Sequence, residues 1–190
     1  MLILQKKYTT MKKIYRITLF LLIAISIVSC GSDDDSSSST SGVLRIGDSE
    51  YSLRAGVIED FGTFDGDLYN FDITLVSSNI STVDGELTTD ETLVNFIYFE
   101  LFTSTELDLE VGVYNLVDNF GDIADKTFVY AEVAENFNST LDEENGTFAE
   151  LTSGSINVIS NGPTYEFEFN GEDTQGRVIS GTYRGSLSGF

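Results

Sequence analysis

Cys30 is the only cysteine of the 190-residue chain, and it stands where an apolar run gives way to a polar tract. Basic residues open the segment before it, the apolar residues 17–28 follow, and the small Ser29 comes last. A basic start, an apolar middle and a small residue at the cleavage point are the three parts of a secretory signal. The apolar run has 12 residues, whereas a membrane-spanning helix needs about 20. The sequence therefore predicts an exported chain with residues 1–29 as its leader.

The four residues Ile27-Val28-Ser29-Cys30 resemble the lipobox of bacterial lipoproteins. The resemblance implies that the leader is removed and that Cys30 then carries fatty acyl chains. Two or more such chains hold a protein stably on a membrane, whereas one holds it marginally. We therefore expect the chain to be anchored to the lipid bilayer through acylated Cys30. The alternative is that Cys30 is an incidental thiol that follows a conventional cleavage site. Whether translation starts at Met1 or at Met11 stays open.

The residues that follow the cysteine are acidic and polar, and they resemble the export signal of surface lipoproteins of the Bacteroidota; these are Ser32, Asp33, Asp34 and Asp35. This resemblance implies an outer-membrane lipoprotein that faces the cell exterior. The alternative is the solvated start of a linker, because such runs are common in disordered segments. Residues 31–42 contain no apolar residue, so residues 30–42 are predicted to be the lipidated cysteine and a flexible linker with a reach of roughly 20 Å.

The charge of the chain after Cys30 limits its partners. Five of the ten basic residues precede the cysteine and all 31 acidic residues follow it, which leaves a net charge of −26. Such a field repels nucleic acid and anionic lipid headgroups. Cations, basic proteins and neutral glycans remain as partners.

Residues 43–190 have the size of one domain with its own core, and no cysteine is left among them to form a disulfide.

The apolar residues of this domain alternate with polar ones, which is typical of half-buried strands. Hairpin turn signals such as Asn161-Gly162 separate the alternating runs. The pattern predicts nine or ten strands: 43–47, 50–58, 67–77, 95–103, 111–116, 126–134, 146–151, 154–160, 164–170 and 177–188. Consecutive hairpins of this kind predict a single antiparallel meander that closes as a β-sandwich or a lipocalin-like β-barrel. The sequence leaves the choice between them open.

Catalytic chemistry has few candidate residues. Histidine is absent, which removes the usual general base and the usual zinc or haem ligand. The chain has neither a P-loop nor a dinucleotide fingerprint, and no cofactor is expected. Only carboxylates remain as candidate catalytic groups. Because the chain has 31 of them, some will lie close together by chance, and a close pair is not evidence of catalysis. We therefore expect no enzyme. The segments 60–67 and 118–125 concentrate oxygen ligands, but neither has the EF-hand spacing, and no metal site is assigned.

Two sets of side chains are predicted to face outward from the sheet. Tyr98 and Phe102 alternate with the core residues of their strand, so they face outward, where an exposed aromatic platform could stack on sugar rings. Ordinary filling of the sheet surface is the favoured interpretation. Glu166 and Glu168 face away from the core beside aromatic residues, and we interpret them as solubilising positions. An exposed apolar patch favours a protein partner somewhat more than a glycan.

The segments GDSEYSLRAGVIEDFG, LEVGVYNL and SGSINVISNGPTYEFEFNGEDTQGRVISGTYRGSLSGF resemble a group of all-β lipoproteins of the Bacteroidota with no assigned activity. Because the shared motifs are turns and strands, the resemblance implies a fold and a location, and no catalytic or binding residue. We expect a non-catalytic binding or accessory module for a protein or glycan. A structural envelope component is the alternative, and a carboxylate-dependent glycan-active enzyme is the less favoured one.

Overall fold

The protein is described by a computed structural model that covers residues 40–83, 86–140 and 145–189. The regular structure of these ranges consists of β-strands and one short 3₁₀ turn at Phe120–Asp122. The predicted all-β fold is therefore confirmed. Across the same ranges, none of the helical structure is long and apolar enough to cross a membrane.

The described residues contain thirteen strands, numbered here in chain order: β1 (Ser41–Ile46), β2 (Ser49–Ser52), β3 (Ala55–Asp65), β4 (Leu68–Val76), β5 (Ile80–Val83), β6 (Glu86–Thr89), β7 (Leu93–Thr103), β8 (Gly112–Leu116), β9 (Thr127–Asn138), β10 (Thr147–Ser160), β11 (Tyr165–Asp173), β12 (Val178–Gly185) and β13 (Ser188–Gly189). Strands β5 and β6 pair with each other in a two-stranded sheet, in which the hydroxyl groups of Ser81 and Thr88 lie 3.0 Å apart. The other eleven strands form one large sheet.

The large sheet has the order β13-β3-β4-β7-β9-β8-β10-β11-β12-β1-β2, with β9 and β10 also paired along part of their length. Most neighbours are antiparallel, as hairpin connections require. Two pairings, β8 with β9 and β13 with β3, are parallel. The sheet is therefore mixed, whereas the sequence predicted a wholly antiparallel meander.

The large sheet curls into a half-barrel around a filled core. The ring of Phe99 on β7 lies 5.7 Å from the rings of both Phe128 and Phe169. Phe169 belongs to β11, which is four places from β7 in the strand order. Strands that are distant within the sheet therefore face each other across the core. Large side chains fill this interior, with Leu44, Ile73 and Phe99 fully buried.

Three predicted strand boundaries differ from the observed ones for identifiable reasons. The predicted strand 50–58 is divided at residues 53–54, where Leu53 donates a hydrogen bond to Gly42 and Arg54 donates one to Val76. The chain therefore leaves β1 and joins β4 at this point. The predicted strands 146–151 and 154–160 are the single strand β10, which stays paired with β11 through a bulge. The last predicted strand, 177–188, ends at Gly185 and is followed by β13.

Candidate binding surface

The residues predicted to carry the lipid and the export signal, Cys30, Ser32, Asp33, Asp34 and Asp35, lie outside the described residues. Their roles therefore stay predictions. The candidate positions within the all-β domain all lie within the described ranges, where their surroundings can be examined.

The two acidic segments have different structures. Residues 60–65 belong to β3 rather than to a loop, and the turn to β4 is limited to Gly66 and Asp67. Asp60 accepts a hydrogen bond from the backbone N–H of Gly62 at 2.7 Å. In the segment 118–125, Asp125 accepts one from the backbone N–H of Ser104 at 2.8 Å. Within the described part of the chain, no group of three or more histidine, cysteine or acidic side chains could hold a metal ion.

Tyr98 and Phe102 do not form an exposed aromatic platform. Tyr98 is 8% exposed and Phe102 is fully buried, because other aromatic rings cover them on the face of the sheet opposite the core. The ring of Phe64 packs edge-on against Phe102 at 4.7 Å, and the ring of Tyr130 lies 5.9 Å from that of Tyr98. The hydroxyl group of Tyr98 donates a hydrogen bond to the buried carboxylate of Asp72.

Several exposed aliphatic side chains on the β8–β10 strand pair and on the loop before β8 were not anticipated from the sequence. Leu107 is 93% exposed, Val111 52%, Val113 49% and Ile159 43%. We call these four residues the aliphatic surface. In the ladder of β8 and β10, Gly112 pairs with Val158 and Val113 pairs with Asn157. Val111 comes just before Gly112 and Ile159 just after Val158, so continuing this register places Val111 opposite Ile159 at one end of the strand pair.

Alternation along the strands gives the aliphatic surface its outward direction. Tyr114 and Val158 point into the core and are fully buried, so their neighbours Val113 and Ile159 project from the opposite face. The sequence signal is weak, because an apolar residue on the outer face cannot be distinguished from a core residue without the strand register.

Leu107 lies in the loop between β7 and β8, and this loop is tied to the sheet at several points. Leu109 is fully buried in the core, and its carbonyl oxygen accepts a hydrogen bond from the side-chain amide of Asn161 at 2.7 Å. The carboxylate of Asp108 accepts one from the hydroxyl group of Tyr165 at 2.8 Å. Thr105 donates from its hydroxyl group to the carbonyl oxygen of Asp108 at 2.6 Å.

The far end of the same loop is fixed in the same way. Tyr114 donates to the carbonyl oxygen of Glu110 at 3.0 Å, and the carboxylate of Glu110 lies 3.4 Å from the ammonium group of Lys126. Burial raises the pKa of Tyr114 to about 12. Burial, together with the hydrogen bond to Asp108, raises the pKa of Tyr165 as well. Both phenols are therefore neutral donors at physiological pH, and their hydrogen bonds to Glu110 and Asp108 tie the loop to the sheet.

A shallow groove of about 440 Å³ adjoins the aliphatic surface at Ile159. It runs over β11 and β12, where Glu166 pairs with Arg184 and Glu168 pairs with Thr182. The guanidinium of Arg184 lies 4.0 Å from the carboxylate of Glu166, and both side chains are largely exposed. Glu166 and Glu168 lie on the outer face of the sheet, as the sequence predicts, and they also line this groove.

No protein-family model, no curated protein and no solved structure matches the chain.

Proposed function

We propose that the protein is a lipid-anchored, non-catalytic binding module that holds a protein partner at the aliphatic surface. The observation that carries this proposal is the exposure of Leu107 on a loop that is fixed to the sheet by buried contacts. An exposed aliphatic side chain gains free energy when a partner covers it, by about 25 cal/mol for each Å² removed from water. A loop that is already ordered loses little conformational entropy on binding.

Several exposed aliphatic residues at one place support a protein interface better than isolated ones do, because single exposed apolar residues are common on any protein surface. The aliphatic surface combines Leu107, on the loop before β8, with Val113 and Ile159 on the strand pair. The hydrogen bond from Asn161 to Leu109 holds this loop next to the end of β10. In protein interfaces a few residues supply most of the binding energy, and Leu107, as the most exposed of the four, is the expected anchor.

The location proposed for this module is the outer membrane, facing the cell exterior. It is supported by the lipobox-like residues that end at Cys30 and by the acidic residues Asp33, Asp34 and Asp35 that follow. Mass spectrometry of the protein purified from cell membranes tests the anchor: an acylated cysteine as the first residue is expected. An unmodified thiol, or a retained leader, would contradict the anchor and leave the binding surface unaffected.

Glycan binding is the second candidate function, and a different surface favours it. Phe64 and Phe120 are 42% and 41% exposed, and their ring centroids lie 6.4 Å apart. Exposed aromatic faces can stack on the apolar faces of sugar rings. A glycan array probed with the protein and with the Phe64→Ala variant separates the two candidates, because only glycan binding predicts spots that this variant loses.

A photo-reactive amino acid placed at position 107 in living cells tests the protein-binding proposal. The matched control is the same amino acid at position 178, since Val178 is also well exposed, at 64%, but lies outside the aliphatic surface. We expect a discrete adduct of defined mass from position 107 and none from position 178. Equal or diffuse labelling from both positions would contradict a specific partner at the aliphatic surface.

A further inference from the structure

We propose that the partner segment held at the aliphatic surface is cationic, with lysine or arginine side chains that enter the groove and meet Glu166 and Glu168. This inference rests on the proposed function, because it adds the chemistry of the partner to the same surface. It is supported by an apolar position on β10, Ile159, and two acidic positions on β11, Glu166 and Glu168, which line the same groove.

The apolar and acidic positions lie side by side on the outer face. Ile159 of β10 is next to the β11 strand, since Ser160 pairs with Glu166 and Asn157 pairs with Glu168. Neighbouring strands are separated by about 4.8 Å. A bound segment that covers Ile159 with an aliphatic side chain therefore has its adjacent side chains within reach of both carboxylates.

The neighbouring Arg184 leaves the carboxylate of Glu166 accessible to a cationic side chain of a partner. Arg184 is the basic side chain that lines the groove. Its contact with Glu166 is long, at 4.0 Å, and the two side chains are 59% and 43% exposed. Exposed pairs of this kind contribute little, typically less than about 1 kcal/mol. A partner lysine can therefore replace or share this contact at small cost, and Glu168 is exposed as well.

The loop adds to the same negative field. Glu106 precedes Leu107 and is exposed, so a partner that buries Leu107 also meets this carboxylate. The chain after Cys30 has a net charge of −26, which repels a second copy of itself and other acidic partners. Complementary charge favours a basic segment and accelerates its association.

The test measures binding of a short peptide of alternating leucine and lysine to the full chain purified in detergent. Two control peptides carry glutamate in place of lysine, or serine in place of leucine. We expect the leucine–lysine peptide to bind most tightly, with an affinity that falls as salt is added. Weaker binding by about tenfold is expected for Leu107→Ser and for the double variant Glu166→Gln, Glu168→Gln.

Two matched variants show whether the effects belong to this surface. Val178→Ser removes another exposed aliphatic group, which is 64% exposed and lies elsewhere, and Asp65→Asn with Asp67→Asn removes two exposed charges at the β3–β4 turn. Both should bind the leucine–lysine peptide like the unmodified chain. Equal weakening by Asp65→Asn with Asp67→Asn would mean diffuse attraction to an acidic protein, and it would overturn the inference.

The outcomes separate this inference from the proposed function. If Leu107→Ser weakens binding but the two glutamate substitutions do not, the aliphatic surface is a binding site and its partner is not selected by charge. If Leu107→Ser has no effect on any peptide, or no peptide binds, both the inference and the aliphatic surface as a binding site are overturned.

Discussion

Leu107 and Leu109 are two residues apart in one loop, yet Leu107 is 93% exposed and Leu109 is fully buried in the core. The buried residue fixes the loop to the domain, and the exposed one is thereby held away from it. A flexible loop with an exposed leucine could turn that side chain inward, but the buried contacts of this loop oppose such a rearrangement. The pair therefore links the packing of the core to the surface that we propose binds a partner.

The hydrogen bond between Tyr165 and Asp108 is predicted to hold this loop in place. Tyr165→Phe and Asp108→Ala should each lower the free energy of unfolding, by about 1–2 kcal/mol, since the acceptor is charged. The two losses should be less than additive in the double variant, because the same bond is removed. Urea unfolding of the four proteins measures this coupling. Strict additivity would contradict a direct contribution of the bond.

The alternation of apolar and polar residues was sufficient to predict the sheet, because it depends only on neighbouring residues. Phe71, Ile73 and Leu75 are predicted on one face of a strand and are buried on one face of β4. The short strands β5 and β6 were missed, since they have little apolar alternation to mark them. The parallel pairing of β8 with β9 was also missed, because it depends on contacts between strands that no local pattern encodes.

The binding surface was predicted only in part. The outward direction of Glu166 and Glu168 follows from alternation within one strand. The aliphatic surface instead combines a loop with two strands whose register is set by tertiary pairing, so Leu107 and Ile159 could not be connected from the sequence. Tyr98 and Phe102 are the opposite case. Their outward direction was predictable from alternation, but their burial was not, because it depends on the rings of Tyr130 and Phe64 that pack over them.

Arg177 is predicted to fasten three distant strands to one another. Its guanidinium lies 2.8 Å from Asp173 of β11 and 2.5 Å from Glu135 of β9. Glu135 also accepts a hydrogen bond from Tyr51 of β2 at 2.8 Å. Arg177→Ala should cost about 3 kcal/mol, because it leaves two poorly exposed carboxylates without their cation. Arg177→Lys should recover only part of this loss, since one ammonium group cannot reproduce the forked contact.

An exposed ion pair provides the control for Arg177. Arg45 and Glu50 lie 2.8 Å apart, but their side chains are 49% and 60% exposed. Arg45→Ala should therefore cost less than about 1 kcal/mol. Thermal and urea unfolding of both alanine variants give the comparison, and equal losses would contradict the role assigned to Arg177.

The same contact has a predicted pH dependence. Burial alone would raise the pKa of Asp173, but hydrogen bonds from Arg177 and Gln175 outweigh burial and lower the pKa. A lowered pKa in the folded state stabilises the protein above the ordinary value of about 4, and this contribution is lost as the pH falls through the lowered pKa. The stability difference between the unmodified chain and Arg177→Ala should therefore shrink under acidic conditions.

Asp72 should show the opposite pH dependence. Burial raises its pKa well above the ordinary value, and the negative charge of Glu100 raises it further. The folded state then binds the proton more tightly than the unfolded state, so stability falls as the pH rises above about 4 towards the folded pKa. Asp72→Asn removes this pH-dependent loss, but its amide oxygen can replace only one of the two carboxylate oxygens that accept hydrogen bonds from Asn70 and Tyr98. The free energy of unfolding of the variant, relative to that of the unmodified chain, should therefore rise as the pH increases from about 4, by about 1.4 kcal/mol for each tenfold difference in proton affinity.

Unfolding of the Asp72→Asn variant across the range from acidic to mildly alkaline pH measures this effect. The exposed Asp65→Asn substitution is the control, since it removes the same charge without altering a buried site. The advantage of Asp72→Asn over the unmodified chain should grow with pH. A stability difference that does not change with pH would contradict the raised pKa of Asp72.

Gly181 is predicted to be irreplaceable in the middle of β12, where it pairs with Phe169 on one side and Leu44 on the other. A Cβ atom at this position would lie 2.2 Å from the carbonyl oxygen of Val43 and 2.3 Å from the ring of Phe169. Neither the backbone oxygen nor the core ring can move away freely in a close-packed interior. Gly181→Ala should therefore destabilise the fold by about 3 kcal/mol through overpacking. The control is Gly121→Ala, since a Cβ atom there meets no atom within 4 Å, and equal melting temperatures for the two variants would mean that the strands around Gly181 can separate to admit a methyl group.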